Sequence, residues 1–105
     1  MIVIFEQAYL KELYERGRCS DKKHRFQPQI IKTYQRRIEQ LQAVQSYEVL
    51  YQFNALNFEA LKGDKLGLYS IRVNNQYRIE FALDINSDVP SLTICNIVEL
   101  SNHYK

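Results

Sequence analysis

The chain has 105 residues, a mass of 12.5 kDa and a formal net charge of +2, with 46% hydrophobic and 25% charged residues. Because single domains commonly run to roughly 100–150 residues, this length predicts one domain over residues 1–105. Eight Tyr and five Phe, together with many aliphatic residues, exclude a disordered chain, since they can form a core.

The sequence contains no apolar run of membrane-spanning length. The longest one, Met1 to Phe5, is far too short to cross a bilayer, and it lacks the basic start and cleavage site of a signal peptide. We therefore expect a cytoplasmic protein with no membrane partner. In that compartment Cys19 and Cys95 are expected to be reduced thiols.

The first half of the chain predicts one strand and two helices. Residues 2–5 are apolar and β-branched, as in a short buried strand. Residues 7–16 have helical spacing, and Gly17 suits the position just after a helix. After a polar connector, Pro28 starts the clearest amphipathic helix, which we expect to reach Gln45. A short helical turn is expected over residues 46–51. The apolar stripe of the long helix is Ile30, Ile31, Tyr34, Ile38 and Leu41.

From Phe53 onward the hydrophobic period changes to two, which predicts strands over residues 68–73, 77–83 and 92–99. The third strand is apolar on both sides and is expected in the interior of the sheet. A three-residue loop, residues 74–76, keeps one face of the first two strands apolar, because it pairs Ile71 with Ile79.

The same register places Arg72 beside Arg78 on the face away from the core. Like charges directly opposite each other destabilise a sheet unless an anion lies between them. Two interpretations stay open at this point. The anion is either a carboxylate of the chain itself, from Glu59, Glu80 or Glu99, or the phosphate of a ligand.

Positive charge is concentrated in the first half of the chain. Residues 1–50 have nine Lys and Arg against six Asp and Glu, whereas residues 51–105 have five against six. Six basic residues and no acidic residue lie in one stretch, and we call them the basic patch: Lys22, Lys23, Arg25, Lys32, Arg36 and Arg37. The patch is either a solvated helix face or a surface that meets a polyanion.

The centre of the chain resembles HigB-type toxins, also called plasmid maintenance system killer proteins, of the RelE/ParE superfamily. The shared pattern is a leucine followed by Lys62-Gly63-Asp64, then an aromatic-Ser-Ile strand at Tyr69-Ser70-Ile71. It continues as an aromatic-Arg-Ile-x-Phe strand at residues 77–81. The resemblance is specific over residues 56–81 and loose over the remainder.

The resemblance implies an α+β, RelE-like fold, with an N-terminal strand and a helical hairpin packed on one face of a twisted, mainly antiparallel sheet. It also implies the toxin of a type II toxin–antitoxin system, acting as a ribosome-dependent mRNA endonuclease that inhibits translation. The partners it implies are mRNA in the ribosomal A site and a cognate helix-turn-helix (HigA-like) antitoxin. For such a nuclease, we expect the basic patch to bind ribosomal RNA. Four aromatic residues are either ordinary core residues or candidates for antitoxin contact: Tyr9, Tyr14, Phe26 and Tyr34.

RNA cleavage without a metal cofactor uses the neighbouring 2′-OH as nucleophile. It requires a proton acceptor, positive charge for the phosphorane and an acid for the leaving 5′-oxygen. Lys62, Arg72 and Arg78 can supply the charge, and the planar fork of arginine suits phosphate oxygens. Carried over from the family, Arg78 stabilises the transition state and Lys62 binds phosphate or moves a proton. Alternatively, the Lys62 segment is a turn with a local ion pair.

His103 and Tyr104 are the candidates for proton transfer, because imidazole titrates near neutrality and an aromatic ring can stack on a base. The chain ends Asn-His-Tyr-Lys where a frequent family tail ends Asp-Tyr-His, so the roles of acid and base stay open. Some relatives have a histidine where this chain has Glu59. Glu59 is therefore either a carboxylate base or an ion-pair partner of Arg78.

Other functions fit the sequence less well. Two histidines and two cysteines without metal-ligand spacing argue against a zinc site, and three scattered glycines cannot form a phosphate-binding loop. A non-catalytic ParE-like toxin that inhibits DNA gyrase is the main alternative. A decayed toxin that only binds its antitoxin is a further one.

Overall fold

The computed structural model describes residues 1–102 and has the expected α+β architecture. Its sheet has five strands in the order β1-β5-β4-β3-β2, and every neighbouring pair is antiparallel except β1 and β5, which are parallel. The main elements are β1 (Ile2–Phe5), α1 (Ala8–Arg16), α2 (Pro28–Ala43), β2 (Glu59–Ala60), β3 (Leu68–Arg72), β4 (Arg78–Asp84) and β5 (Ile94–Ser101). Short 3₁₀ helices lie at Tyr47–Gln52, Asn54–Leu56, Gly63–Lys65 and Pro90–Leu92.

Gly17, Pro28 and Val44 explain where the two helices begin and end. Gly17 follows α1 with φ +71°, a left-handed conformation that costs glycine little, and its N–H donates to the Leu13 carbonyl at 3.1 Å. Pro28 is the first residue of α2. The helix ends at Ala43, two residues before the expected end at Gln45, because Val44 has an extended backbone.

The helices contact each other and pack against β1 and β5. Tyr34 is fully buried, and its hydroxyl donates to the Leu10 carbonyl at 2.8 Å, which joins α2 to α1. Burial raises the pKa of Tyr34 well above its ordinary value. Tyr9 is also buried in the core. Of the two alternatives for Tyr9 and Tyr34, the core is therefore confirmed and antitoxin contact is wrong, since both side chains are already buried.

A polar contact joins the start of β1 to the end of α2. The N-terminal ammonium of Met1 donates to the carbonyls of Leu41, Gln42 and Val44 at 3.2, 2.9 and 3.0 Å. The last carbonyls of a helix lack partners within the helix, and a positive charge is favourable at that end. The contact therefore satisfies three acceptors and fixes the edge strand against the helix.

The β3–β4 hairpin has the register predicted from the sequence. Ile71 is opposite Ile79 and Arg72 is opposite Arg78, and the Val73 N–H donates to the Tyr77 carbonyl at 3.0 Å. The core lies on the face of Ile71 and Ile79, both fully buried. We call the opposite face, which carries Arg72 and Arg78, the polar face.

The interior strand β5 begins two residues later than expected and extends to Ser101. It lies in the interior of the sheet, as predicted, with β1 on one side and β4 on the other. Its register against β4 shifts where Glu80 is opposite Glu99 but Phe81 is opposite Ile97, so Val98 is an extra residue. Such a bulge strengthens the local twist of the sheet.

Both cysteines are free thiols, as predicted. Cys95 is fully buried, and burial raises its pKa to about 11. Among residues 1–102, no helix is long and apolar enough to cross a membrane.

Replacing Tyr34 by Phe should lower the free energy of unfolding by about 1 kcal/mol, because it removes a buried hydrogen bond without changing the packed volume. Urea titration followed by circular dichroism measures the change, which should appear in the midpoint and not in the slope. The matched control is Tyr51→Phe, at a ring that is 57% exposed. Equal midpoints for the two variants would show that the Tyr34 hydroxyl contributes nothing.

Candidate functional site

A cluster of buried polar side chains lies at one end of the polar face. Of the five buried polar or charged residues in the described part of the chain, four occupy paired positions there: Ser70 opposite Glu80, and Arg78 opposite Ser101. Burying polar and charged groups is unfavourable unless they are paired, so their concentration in one place requires a dense set of internal contacts. These contacts define the candidate site.

Arg78 lies at the centre of the cluster and is only 6% exposed. Its Nε donates to Ser70 Oγ at 2.9 Å, and its Nη2 donates to the backbone carbonyl of Asn57. The same Nη2 is 3.8 Å from Glu59 Oε1, so Glu59 forms a long ion pair with Arg78. Asn57 has φ +43°, a left-handed conformation that asparagine adopts more readily than most residues. Arg78 is therefore held in one orientation by three groups.

Lys65 forms an ion pair with Glu80 that the sequence did not reveal. Its Nζ is 2.7 Å from Glu80 Oε2, and the Glu80 side chain is 1% exposed. The turn at Gly63, which has φ +63°, leads into a 3₁₀ helix in which the Lys65 N–H donates to the Lys62 carbonyl. The sequence carried no local signal for this pair, because Lys65 and Glu80 are 15 positions apart and meet only in the folded sheet.

Lys62 is exposed on this same turn. Within residues 1–102 it forms no ion pair, so the local Lys62–Asp64 pair considered as an alternative is not formed. The segment from Asn57 to Lys65 contacts the cluster at both ends, through the Arg78 and Glu80 contacts. Lys62 is thereby presented to solvent beside the cluster.

Arg72 connects the cluster to α2. It lies opposite Arg78 and is half-buried, and its guanidinium donates to the side-chain oxygen of Asn75. The Nε of Arg37 donates to the Arg72 carbonyl at 2.8 Å. Burial, followed by the charges of Arg36 and Arg72, lowers the pKa of Arg37. We call these four residues the arginine row: Arg36, Arg37, Arg72 and Arg78.

The rest of the basic patch is exposed: Lys22, Lys23, Arg25, Lys32 and Arg36. Arg37 differs, because its guanidinium is half-buried and also donates to Gln40 Oε1 at 2.9 Å. The segment that carries the patch meets the β3–β4 hairpin at two points. The ring of Phe26, next to Arg25, lies 5.7 Å from that of Tyr77, and the Nε of Arg37 donates to the Arg72 carbonyl at the end of β3.

The structure thus brings together Arg72, Arg78 and Glu59, with Lys62 on the adjoining segment. His103 and Tyr104 lie outside the described residues. Among residues 1–102, no group of three or more His, Cys, Asp or Glu side chains is arranged to hold a metal ion.

Two solved structures share the fold of this chain. The YoeB/ParE toxin from Agrobacterium tumefaciens aligns with a TM-score of 0.61 at 13% identity, covering 99% of this chain and 100% of that one. The toxin–antitoxin complex YoeB–YefM from Staphylococcus aureus aligns with a TM-score of 0.56 at 14% identity, covering 99% and 98%. At these identities the likeness establishes the fold alone.

The family is identified by the similarity of the sequence to known proteins. Residues 3–94 match the HigB-like toxin family, described as the RelE-like toxin of the type II toxin–antitoxin system HigB. Toxin HigB-1 of Vibrio cholerae serotype O1 is 38% identical over 82 residues, which cover 77% of this chain and 82% of that toxin. The chain therefore belongs to the HigB-like toxin family and is a toxin of the type II class.

Replacing Lys65 by Met should destabilise the fold by about 1–3 kcal/mol, because the buried carboxylate of Glu80 loses its close cation. The expected cost is below that of a fully buried pair, since Lys65 is one-third exposed and partly screened by water. Urea titration measures it, with Lys11→Met, at an exposed lysine of α1, as the matched control.

The double variant Lys65→Met/Glu80→Gln tests whether the lost stability comes from the Lys65–Glu80 ion pair itself. It should recover part of the loss, because the amide leaves no unpaired charge in the cluster. If Lys65→Met were as stable as Lys11→Met, the ion pair would have no part in holding the site.

Proposed function

We propose that the chain is a ribosome-dependent endonuclease of mRNA, which uses the 2′-OH beside the scissile phosphate as nucleophile and requires no metal cofactor. HigB/RelE-like toxins are generally endoribonucleases, and the chain belongs to that family. The observation that carries the proposal is the arginine row, in which Arg72 joins a rigidly held Arg78 to the basic side chains of α2.

Attack of the 2′-oxygen on phosphorus forms a phosphorane with additional negative charge, and the 5′-oxygen then leaves. Fixed donors in a site of low dielectric stabilise such charge more than mobile donors in water do. Arg78 is fixed by Ser70 and Asn57 and lies in the buried cluster. Half-buried Arg72 and exposed Lys62 can reach the phosphate from outside. In this arrangement Arg78 stabilises the negative charge of the phosphorane from the buried side of the site.

Two protons must move during cleavage. Glu59 is half-exposed, and its carboxylate lies 3.8 Å from the Arg78 guanidinium, so it can accept the 2′-OH proton beside the stabilising charge. His103 and Tyr104, just beyond the described residues, complete the set of proton-transfer candidates. We propose that the acid for the leaving 5′-oxygen comes from this pair.

The basic patch would bind ribosomal RNA while the polar face receives the mRNA. Five of its six side chains are exposed, as phosphate contacts require. The remaining proposed partner is a cognate antitoxin of the helix-turn-helix class. The YoeB toxin of S. aureus, which has the same fold, is known in complex with YefM.

Replacing Arg78 by Ala should reduce cleavage by at least about 100-fold, the usual effect of removing one fixed donor to a transition state. The measurement is transcriptome-wide mapping of RNA 5′ ends after brief induction of the chain without antitoxin. Arg72→Ala should give a partial loss, because Arg72 lies at the margin of the cluster. Arg18→Ala, at an exposed arginine of the connector, is the folded control with full cleavage.

Growth arrest by the unaltered chain without new 5′ ends inside translated frames would refute the nuclease. A DNA gyrase supercoiling assay on the same purified protein then tests the ParE-like alternative. The free energy of unfolding of Arg78→Ala is measured in parallel, since Arg78 also contacts Ser70 and Asn57.

Reversing charge on α2 tests the ribosome contact separately from cleavage. Lys32→Glu/Arg36→Glu should weaken co-sedimentation with 70S ribosomes, and the dependence of log K on log salt should become shallower by about one unit per lost contact. The control Lys11→Glu/Arg16→Glu makes the same charge change at exposed positions of α1. Equal sedimentation of both variants would remove α2 from the ribosome interface.

A further inference from the structure

The two edges of the sheet differ in how they are protected. At one edge lies β2, which has only two residues and carries the charge of Glu59. At the other edge lies β1, whose residues 2–5 are all apolar. Edge strands tend to pair with further strands, and proteins commonly block them with very short strands, charged side chains or proline. Strand β2 is blocked in the first two of these ways, whereas β1 contains neither a charge nor a proline.

The free edge of β1 presents the backbone groups of Val3 and Phe5. Strand β1 is parallel to β5, and the N–H groups of Ile2 and Glu6 donate to carbonyls on the β5 side at 3.0 and 2.9 Å. In a parallel pair, every second residue of a strand bonds to its neighbour. The N–H and C=O groups of Val3 and Phe5, which lie between the bonded residues, therefore point away from the sheet.

A groove of about 390 Å³ lies along this free edge. Strand β1 forms one side of it, and Phe5 stacks on Tyr14 of α1 with ring centroids 5.8 Å apart. Lys11 and Glu15, about one turn apart on α1, line the other side, and both are exposed. Within residues 1–102 neither of them forms an ion pair. The groove thus places one cation and one anion beside the free edge.

The backbone of this edge is complementary to itself. When two copies pair antiparallel about a twofold axis at Ile4, Val3 of each copy lies opposite Phe5 of the other. Each of these two pairs can exchange two hydrogen bonds, which satisfies the outward groups of both residues. Ile4, which is 46% exposed on the polar face, then lies opposite Ile4 of the second copy. Their Cα atoms are about 4.5 Å apart, the closer of the two antiparallel spacings.

The charges of the groove are complementary to themselves as well. The same twofold axis turns the two grooves towards each other, so that Lys11 of each copy can pair with Glu15 of the other. A strand of a different protein could also add to β1. The opposite charges of Lys11 and Glu15, and the symmetric positions of Val3 and Phe5 about Ile4, favour a second copy of this chain.

We propose that the free edge of β1 and its groove form a twofold-symmetric interface between two copies of this chain. The inference goes beyond the proposed nuclease function and does not depend on it. The two five-stranded sheets become one sheet of ten strands, with both polar faces on the same side and uncovered. The β4 strands of the two copies are five strand spacings apart, which is about 24 Å.

The interface is small, because each copy contributes one short strand and one turn of α1. Interfaces at the low end of the size range are typical of transient contacts, so we expect a dissociation constant of about 10 µM or weaker. In dilute assays of cleavage and ribosome binding the chain is therefore a monomer.

The first test is sedimentation equilibrium of the purified chain from about 1 to 500 µM, a range that includes the expected dissociation constant. The proposal expects a monomer at the low end and a dimer at the high end. Hydrogen exchange of the ¹⁵N-labelled chain locates the interface. The amides of Val3 and Phe5 should exchange more slowly as concentration rises, because the second copy supplies their acceptors. Those of Ile2 and Glu6, which donate within one copy, should change little.

The sharp variant is Ile4→Lys, which places two ammonium groups opposite each other across the axis. Dimerisation should weaken at least about 10-fold, because like charges directly opposite each other are unfavourable and the Ile4 contact is lost. Val89→Lys makes the same change of charge at a side chain that is 45% exposed in the β4–β5 loop. It should dimerise as the unaltered chain does.

A charge exchange decides the matter if Ile4→Lys does not fold. Glu15→Lys brings like charges together on both sides of the axis and should weaken dimerisation about 5-fold. The double variant Lys11→Glu/Glu15→Lys restores opposite charges between the copies and should return the affinity to about that of the unaltered chain. A lysine near the end of α1 is favourable to the helix, so both variants should fold.

A chain that stays monomeric up to about 500 µM overturns the proposal. A dimer with unchanged affinity in a folded Ile4→Lys variant does so too, as does a dimer that leaves the amides of Val3 and Phe5 unprotected. If these amides become protected only when an antitoxin is added, the edge accepts a strand of the antitoxin and the second copy is refuted. None of these results bears on cleavage, which is assayed with the dilute monomer.

Discussion

The pairing of Arg72 with Arg78 across the β3–β4 hairpin determines which side chains lie on each face of the sheet. The three-residue loop sets the register, and a slip of one residue would exchange the two faces. In the observed register Ile71 and Ile79 complete the core, while the two arginines lie together on the opposite face. Core packing thus enforces a repulsive arrangement of charge that the fold must then offset.

Neighbouring side chains offset this repulsion through several close contacts. Ser70, Asn57 and Glu59 supply acceptors for Arg78, and Lys65 neutralises Glu80 one pair further along the strands. A buried ionic cluster is weak evidence for stability, because apolar residues of similar volume often stabilise a fold as well or better. Under the proposed function, the cluster instead fixes positive charge beneath a phosphate, with Arg72 and Lys62 above it.

The sequence predicted those features that depend on short-range pattern. The apolar stripe of α2, the cap at Gly17 and the hairpin register all follow from neighbouring residues, and the structure confirms them. The family was also recognisable from residues 56–81, and the match over residues 3–94 confirms it.

Features that depend on distant parts of the chain were not predictable in the same way. The parallel pairing of β1 with β5 joins residues more than 90 positions apart, and two-residue β2 is too short to show a period. The Lys65–Glu80 ion pair and the hydrogen bond from Arg37 to the Arg72 carbonyl both form only in the folded hairpin. The roles of His103 and Tyr104 stay predictions from the resemblance.

In the proposed reaction, an mRNA phosphate meets the fixed arginines of the polar face and the neighbouring 2′-OH attacks it. The most direct test uses purified 70S ribosomes programmed with two mRNAs that differ only by 2′-deoxy substitution of the A-site codon. The proposed reaction predicts cleavage of the all-ribose mRNA, leaving a 2′,3′-cyclic phosphate, and no cleavage of the substituted one. Equal cleavage of both mRNAs, or an intact all-ribose mRNA, would contradict it.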